Sequence, residues 1–263
     1  MKKYIFLFHP SAFILHPLFM EVLVMKSLFY IRGIASLVLE EYEEALENLD
    51  KALEIDPYYA EALSSRGAIK VMLQKYTDAL EDYQKLANIQ PDNPDVWHDL
   101  GNVAGALGKY EIGLECYDKA IQLLPNNAIF RRDKGVLLII IGRYREAIGI
   151  LNEAVRIDPN YEKAWRDLGC VYDLLGDYDE AFRNYDEAIK INPDYEKAWV
   201  DRGWVLDMLG RYDEAVKSYD EAIRIQPEDV DAWHSRGLAL IVSGNHEEAF
   251  ESFDREARLR KVS

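Results

Sequence analysis

Apolar residues recur along most of this chain at three- and four-residue steps, interrupted at regular places, which is the signature of short amphipathic helices. The pattern is clearest between Glu162 and Pro193. Trp165, Leu168, Gly169 and Tyr172 share one helical face, Gly176 interrupts them, and Tyr178, Ala181, Phe182, Tyr185 and Ala188 form a second apolar stripe. This predicts two helices joined by a tight turn, with Gly176 as the left-handed cap. Pro193 cannot continue a helix and restricts the residue before it, so it starts the next connection.

The arrangement returns every 34 residues. Prolines stand at 57, 91, 125, 159, 193 and 227, and glycines at 33, 67, 101, 135, 169, 203 and 237. A tyrosine column runs Tyr42, Tyr76, Tyr110, Tyr144, Tyr178, Tyr212 and closes on His246. An alanine column runs Ala45, Ala79, Ala147, Ala181, Ala215 and Ala249, with Gly113 in the remaining slot. No insertion or deletion breaks the register, so the chain divides into seven units at about 26–59, 60–93, 94–127, 128–161, 162–195, 196–229 and 230–263. One such unit cannot bury its own apolar faces, so the units must stack. Gly169 and Ala181 leave room for the paired helices to approach closely. Three departures are expected to weaken their units: Arg131 in the tryptophan position, and Glu40 and Gln74 where a glycine elsewhere separates the helices. The last unit lacks its proline and slips out of register near Glu256.

Two successive copies read WRDLGCVYDLLGDYDEAFRNYDEAIKINP and WVDRGWVLDMLGRYDEAVKSYDEAIRIQP. The W-x2-L-G-x2-Y run, the alanine and aromatic of the second helix, and the proline resemble the tetratricopeptide repeat family. The likeness covers about nine-tenths of the chain, from about Lys26 onward. It implies an all-α fold: a right-handed α-solenoid superhelix of stacked antiparallel helix pairs, with first helices lining a concave groove and second helices outside. It also implies a protein–protein interaction scaffold or adaptor that binds a peptide or partner protein in that groove, with no cofactor.

Helical spacing then selects the groove residues, those opposite Trp165, Leu168 and Tyr172. They are His98 and Asn102, then Arg132 and Asp133, then Lys163, Arg166, Asp167 and Asp173. Lys197, Asp201, Trp204 and Asp207 follow, then His234. Asp99, Asp133, Asp167 and Asp201 repeat once per unit beside Arg132, Arg166, Lys163 and Lys197. Two readings stay open. These are solvated Arg–Asp pairs between neighbouring helices, each contributing little, or they line a groove for a peptide carrying both charges. Trp204, with Val136, Ile139, Met208, Leu238 and Ile241, adds apolar pockets. Trp204 is either a binding anchor or buried against the next unit. Some family members clamp a chaperone's terminal carboxylate with two lysines, two asparagines and an arginine. Asn102 and Lys163 match that set, but His98, Asp133 and Asp167 do not, so no such clamp is expected.

Charge narrows the partner. With 47 acidic and 31 basic residues the chain carries a formal charge of -16, which repels phosphate backbones and favours basic or mixed-charge partners over nucleic acid. Cys116 and Cys170 are 54 residues apart inside helical patterns and read as small apolar groups rather than a disulfide framework. No phosphate loop, nucleophile elbow or paired His/Cys ligand spacing occurs, so the chain is not expected to be an enzyme or to hold a metal. Asp179, Glu180, Asp213 and Glu214 open second helices, where they complement the helix dipole.

The two ends leave alternatives. Residues 1–25, MKKYIFLFHPSAFILHPLFMEVLVM, are strongly apolar after Lys2 and Lys3. They form a cap docked on the first unit, a membrane anchor or signal through residues 4–25, or a leader preceding a true start at Met20 or Met25. Without an anchor the expected location is cytoplasmic; with one, the chain is a membrane-tethered adaptor. At the other end Phe250, Phe253 and Ala257 face an uncovered edge. Either Glu247, Glu248, Glu251 and Arg255 blunt it, or a second chain docks there, making the protein an assembly component.

Overall fold

Each 34-residue unit carries two helices, and in six of the seven these pack on each other as a pair. The computed structural model describes residues 17–261, with side chains from residue 22 onward. It contains α1 (Pro17–Val38), α2 (Tyr42–Ile55), α3 (Ala60–Met72), α4 (Tyr76–Ile89) and α5 (Pro94–Ala106). Then come α6 (Tyr110–Leu123), α7 (Ala128–Ile140), α8 (Tyr144–Ile157), α9 (Glu162–Leu174) and α10 (Tyr178–Ile191). The array continues with α11 (Glu196–Met208), α12 (Tyr212–Ile225), α13 (Val230–Ser243) and α14 (His246–Leu259). No strand occurs among the described residues. The chain divides into two compact units between Ile112 and Gly113, in the first turn of α6.

The columns explain the boundaries. Every second helix opens on the tyrosine column or His246 and, through α12, closes two residues before a proline. Asp56 (φ -137) and Asn192 (φ -130), each directly before a proline, are extended, because the proline ring disfavours helical backbone at the residue before it. Pro17 opens α1, the position where its missing N–H costs least. Of the segment expected as cap, anchor or leader, residues 1–16 lie outside the described residues. No helix among the described residues is long and apolar enough to cross a membrane.

Tryptophan ties the turn to the first helix. Trp165 Nε1 donates to the Pro159 carbonyl at 2.9 Å, and Trp97, Trp199 and Trp233 repeat the bond to Pro91, Pro193 and Pro227. Arg131 was expected to weaken its unit. Instead its guanidinium reaches the carbonyl of Pro125, and its Nε donates to Glu153 Oε2 at 2.9 Å. A donor on a long arm replaces the indole, so the tie survives the substitution.

The core between paired helices is built from small residues facing large ones. Ala147, Ala181 and Ala215 are fully buried. A Cβ on Gly169 would lie 2.5 Å from the Tyr185 ring, and one on Gly203 would lie 2.6 Å from the Tyr219 ring. Gly135 meets Leu151 and Gly237 meets Phe253 in the same way. Leaving each helix pair's turn, the chain passes through left-handed backbone at Gly108, Gly142, Gly176, Gly210 and Gly244. In the first two pairs Glu40 (φ 61) and Gln74 (φ 58) take that conformation, which crowds their Cβ against the following carbonyl.

Gln74→Gly should therefore stabilise the protein by about 1 kcal/mol, read as a rise of a few degrees in melting temperature. Gly169→Ala should do the reverse by about 2 kcal/mol, because Tyr185 is buried and its ring has nowhere to retreat. Calorimetry on both variants checks the pair, and an unchanged Gly169→Ala melt would disprove the close-approach account.

Candidate functional site

Within the second unit, α7 packs against α9, α9 against α11, and α11 against α13. The second helices α8, α10, α12 and α14 make no comparable contact with one another. First helices that crowd together while second helices spread apart put the first helices on the inner side of the bend in this unit. Their outward surface is the face on which the sequence places Arg132 through His234.

A charge relay crosses this face. Arg132 Nε donates to Asp167 Oδ2 at 2.5 Å and its Nη1 to Asp133 Oδ1 at 3.0 Å. One repeat on, Arg166 Nε donates to Asp201 Oδ2 at 2.6 Å, while its Nη1 stands 4.0 Å from Asp167 Oδ1. Three adjacent helices are thus linked through Asp133, Arg132, Asp167, Arg166 and Asp201. Helical spacing put Asp167 on the exposed stripe, but it is only 5% exposed. Close packing of α7 on α9 lays the Arg132 side chain across it. The pairing read from the sequence is therefore present, but at Asp167 it is buried rather than solvated. Burial pushes the Asp167 and Asp201 carboxyls above their ordinary range, and the arginines offset this in part. Burial also works against the charges of Arg132 and Arg166, yet the neighbouring carboxylates outweigh it and hold both guanidiniums above their usual value. The relay stops at α11 because Val200 occupies the arginine position. Lys163 and Lys197 stand exposed in the first turns of α9 and α11.

A different surface follows on α11 and α13. Trp204 is 50% exposed, so it is not buried against the next repeat, and Met208, Leu238 and Ile241 are exposed with it. Residues three and four apart on one helix are neighbours, and α11 packs on α13, so the four form one apolar strip. Two half-buried carboxyls border it. Asp173 lies beside the Trp204 indole, and Asp207 Oδ2 accepts from the Tyr219 hydroxyl at 2.8 Å. The other oxygen, Asp207 Oδ1, is buried without a hydrogen-bond partner. Burial raises both carboxyls above their ordinary range, and neither has an arginine or lysine beside it. Glu196, at the start of α11, is pushed up to about 7 by burial and by the neighbouring Asp229 carboxyl. His234 turns toward α14, with Nδ1 3.0 Å from Glu256 Oε2 and its ring edge-on to Phe253. In the first unit, His98 and Asn102 on α5 approach to 3.4 Å, and the His98 side chain is only 15% exposed.

Spacing on one helix face missed the ties from a first helix to the second helices before and after it. Arg66 binds Asp82 and Asp50, and Lys70 also binds Asp82, at 2.5 to 2.7 Å. Arg236 binds Asp220 at 2.6 Å and Ser252 at 2.7 Å. Arg66, Lys134, Arg202 and Arg236 share one 34-residue column, so the signal was present in the register.

Comparisons with known proteins agree with this architecture. Models described as TPR repeat match residues 39–74 and 69–108. Models described as tetratricopeptide repeat match 98–162, 150–183 and 174–238. Together they run without a gap from residue 39 to 238. No curated protein sequence matches the chain. Among solved structures, MamA is 26% identical with a TM-score of 0.59, over 64% of this chain and 92% of its own. YrrB, a TPR protein with an unusual peptide-binding site, is 27% identical with a TM-score of 0.55, over 65% of this chain and 88% of its own. A tetratricopeptide repeat protein from Parabacteroides merdae, 17% identical, shares the fold over 90% of this chain and 93% of its own, with a TM-score of 0.72. The seven-fold columns, the stacked helix pairs and these matches have one meaning: the chain belongs to the tetratricopeptide repeat family.

Proposed function

We propose that this protein is a non-catalytic interaction scaffold that holds a peptide or partner segment on the exposed face of α7, α9, α11 and α13. The observation that carries this reading is the exposed Trp204 strip at the end of an ordered charge relay. The relay fixes neighbouring helices, and an aromatic residue set among apolar neighbours is the usual centre of a binding hot spot. The peptide-binding site of YrrB, a protein of the same family, supports it. The acidic charge, -16 overall, favours a basic or mixed-charge partner over nucleic acid. A location in the cytoplasm accompanies this reading.

Testing it requires variants that leave the relay intact. Removing Arg132 would strand the buried Asp167 carboxylate and destabilise the array, so loss of binding would be uninformative. The double substitution Trp204→Ala with Leu238→Ala trims only exposed side chains. Full-length protein should capture a partner from native extract that this variant, with an unchanged circular dichroism melt, does not. Equal capture by both would remove the face from consideration.

A second reading has its own observation. Phe250 on α14 is 74% exposed. Its counterpart two repeats earlier, Phe182, lies between the guanidiniums of Arg202 and Arg211, each 4.8 Å from the ring centroid. An aromatic ring that takes two cations within the array is thus open on α14, which favours self-association through the last repeat. Sedimentation of the full chain should then show concentration-dependent oligomers that Phe250→Ser abolishes; a monomer at every concentration would refute it.

A further inference from the structure

The relay and the apolar strip differ in how their carboxylates are balanced, and the difference specifies a ligand. Asp167 and Asp201 each have an arginine from the preceding repeat. Asp173 and Asp207, one repeat apart at the same register on α9 and α11, have no such arginine: Asp173 lies beside the Trp204 indole, and Asp207 accepts only from the Tyr219 hydroxyl. Val200 stands where a third arginine would extend the relay. Asp207 lies three residues after Trp204 on the same helix, so its carboxyl borders the strip. Its Oδ1 has no donor.

We infer that the α11–α13 strip takes a partner segment in which an arginine or lysine is flanked by aliphatic or aromatic residues. This rests on the scaffold reading above and names the chemistry of its partner. The apolar side chains cover Leu238 and Ile241. The cationic stem lies along Met208 and the Trp204 ring, with its charge held by the nearby Asp207 and Asp173 carboxylates. An arginine suits this place because its stem is apolar, its guanidinium stacks on indole, and its donors match a carboxylate. An acidic segment is rejected twice, by these two carboxylates and by the net charge of -16.

The test uses the full chain and four fluorescein-labelled peptides read by anisotropy. These are GSLRFRLSG, the same with both arginines changed to glutamate, the same with both changed to glutamine, and GSSRSRSSG. The first should bind, with the glutamate peptide about tenfold weaker or worse, and the glutamine and all-serine peptides intermediate or silent. Binding of the first should weaken several-fold from about 50 to about 300 mM salt. Asp207→Asn, which still accepts from Tyr219, and Trp204→Ala should each weaken it about fivefold or more. Glutamate or glutamine peptides binding as tightly as GSLRFRLSG overturns the inference. If that binding still falls on Trp204→Ala, the scaffold face stands and only its ligand chemistry is wrong. If no peptide binds, or none responds to Trp204→Ala, the inference and the face fall together.

Discussion

The close approach of the two helices within a packed pair governs much else in this molecule. A glycine on the first helix faces a bulky side chain sixteen residues later on the second, as Gly169 faces Tyr185 and Gly135 faces Leu151. A single added methyl group would fall inside the van der Waals distance of the ring or branch opposite. The alanine column beside it, fully buried at Ala147, Ala181 and Ala215, keeps the same gap narrow. Because the contact is so short, the angle between the paired helices has little freedom, and because it recurs every 34 residues, each pair presents the same face to the next.

That constraint creates the polar architecture of the inner face. When first helices are held side by side, an arginine on one reaches an aspartate 35 residues later on the next, as Arg132 reaches Asp167 and Arg166 reaches Asp201. Removing one partner of such a pair leaves an uncompensated, poorly hydrated charge, so the relay acts as an all-or-none clasp between neighbouring repeats. Val200 interrupts it, and there the surface changes character. Trp204, Met208, Leu238 and Ile241 are exposed, and Asp173 and Asp207 lack a cation. A stack of repeats gives the same geometry at each step, so changing single residues within fixed columns is enough to make one stretch of the face a clasp and another a docking strip.

The departures from the repeat pattern illustrate the same economy. Arg131 replaces a tryptophan yet donates to the Pro125 carbonyl that the indole would have reached. What the position requires is a donor on a long side chain, not an aromatic ring. Glu40 and Gln74 are less accommodating, since no side-chain bond relieves a left-handed backbone conformation that only glycine adopts freely.

The chain by itself determined the repeat length, the helix pairs, their turns and the family, because glycine, proline and aromatic columns act through local backbone chemistry and through packing that recurs at a fixed offset. It also marked Arg132, Arg166, Asp167 and Asp201 as a ladder and Trp204 as a candidate anchor. Only the tertiary structure decided which of these lie open. Asp167 shares the helical stripe of Lys163, yet one is covered by an arginine from the preceding repeat and the other is exposed. His234 sits on the groove register but turns to Glu256 on the helix behind it. Helical periodicity assigns a direction around one axis. Whether a side chain pointing that way meets water, a neighbouring helix or an unneutralised carboxylate depends on how closely the next repeat approaches, and that distance is a property of the packed array.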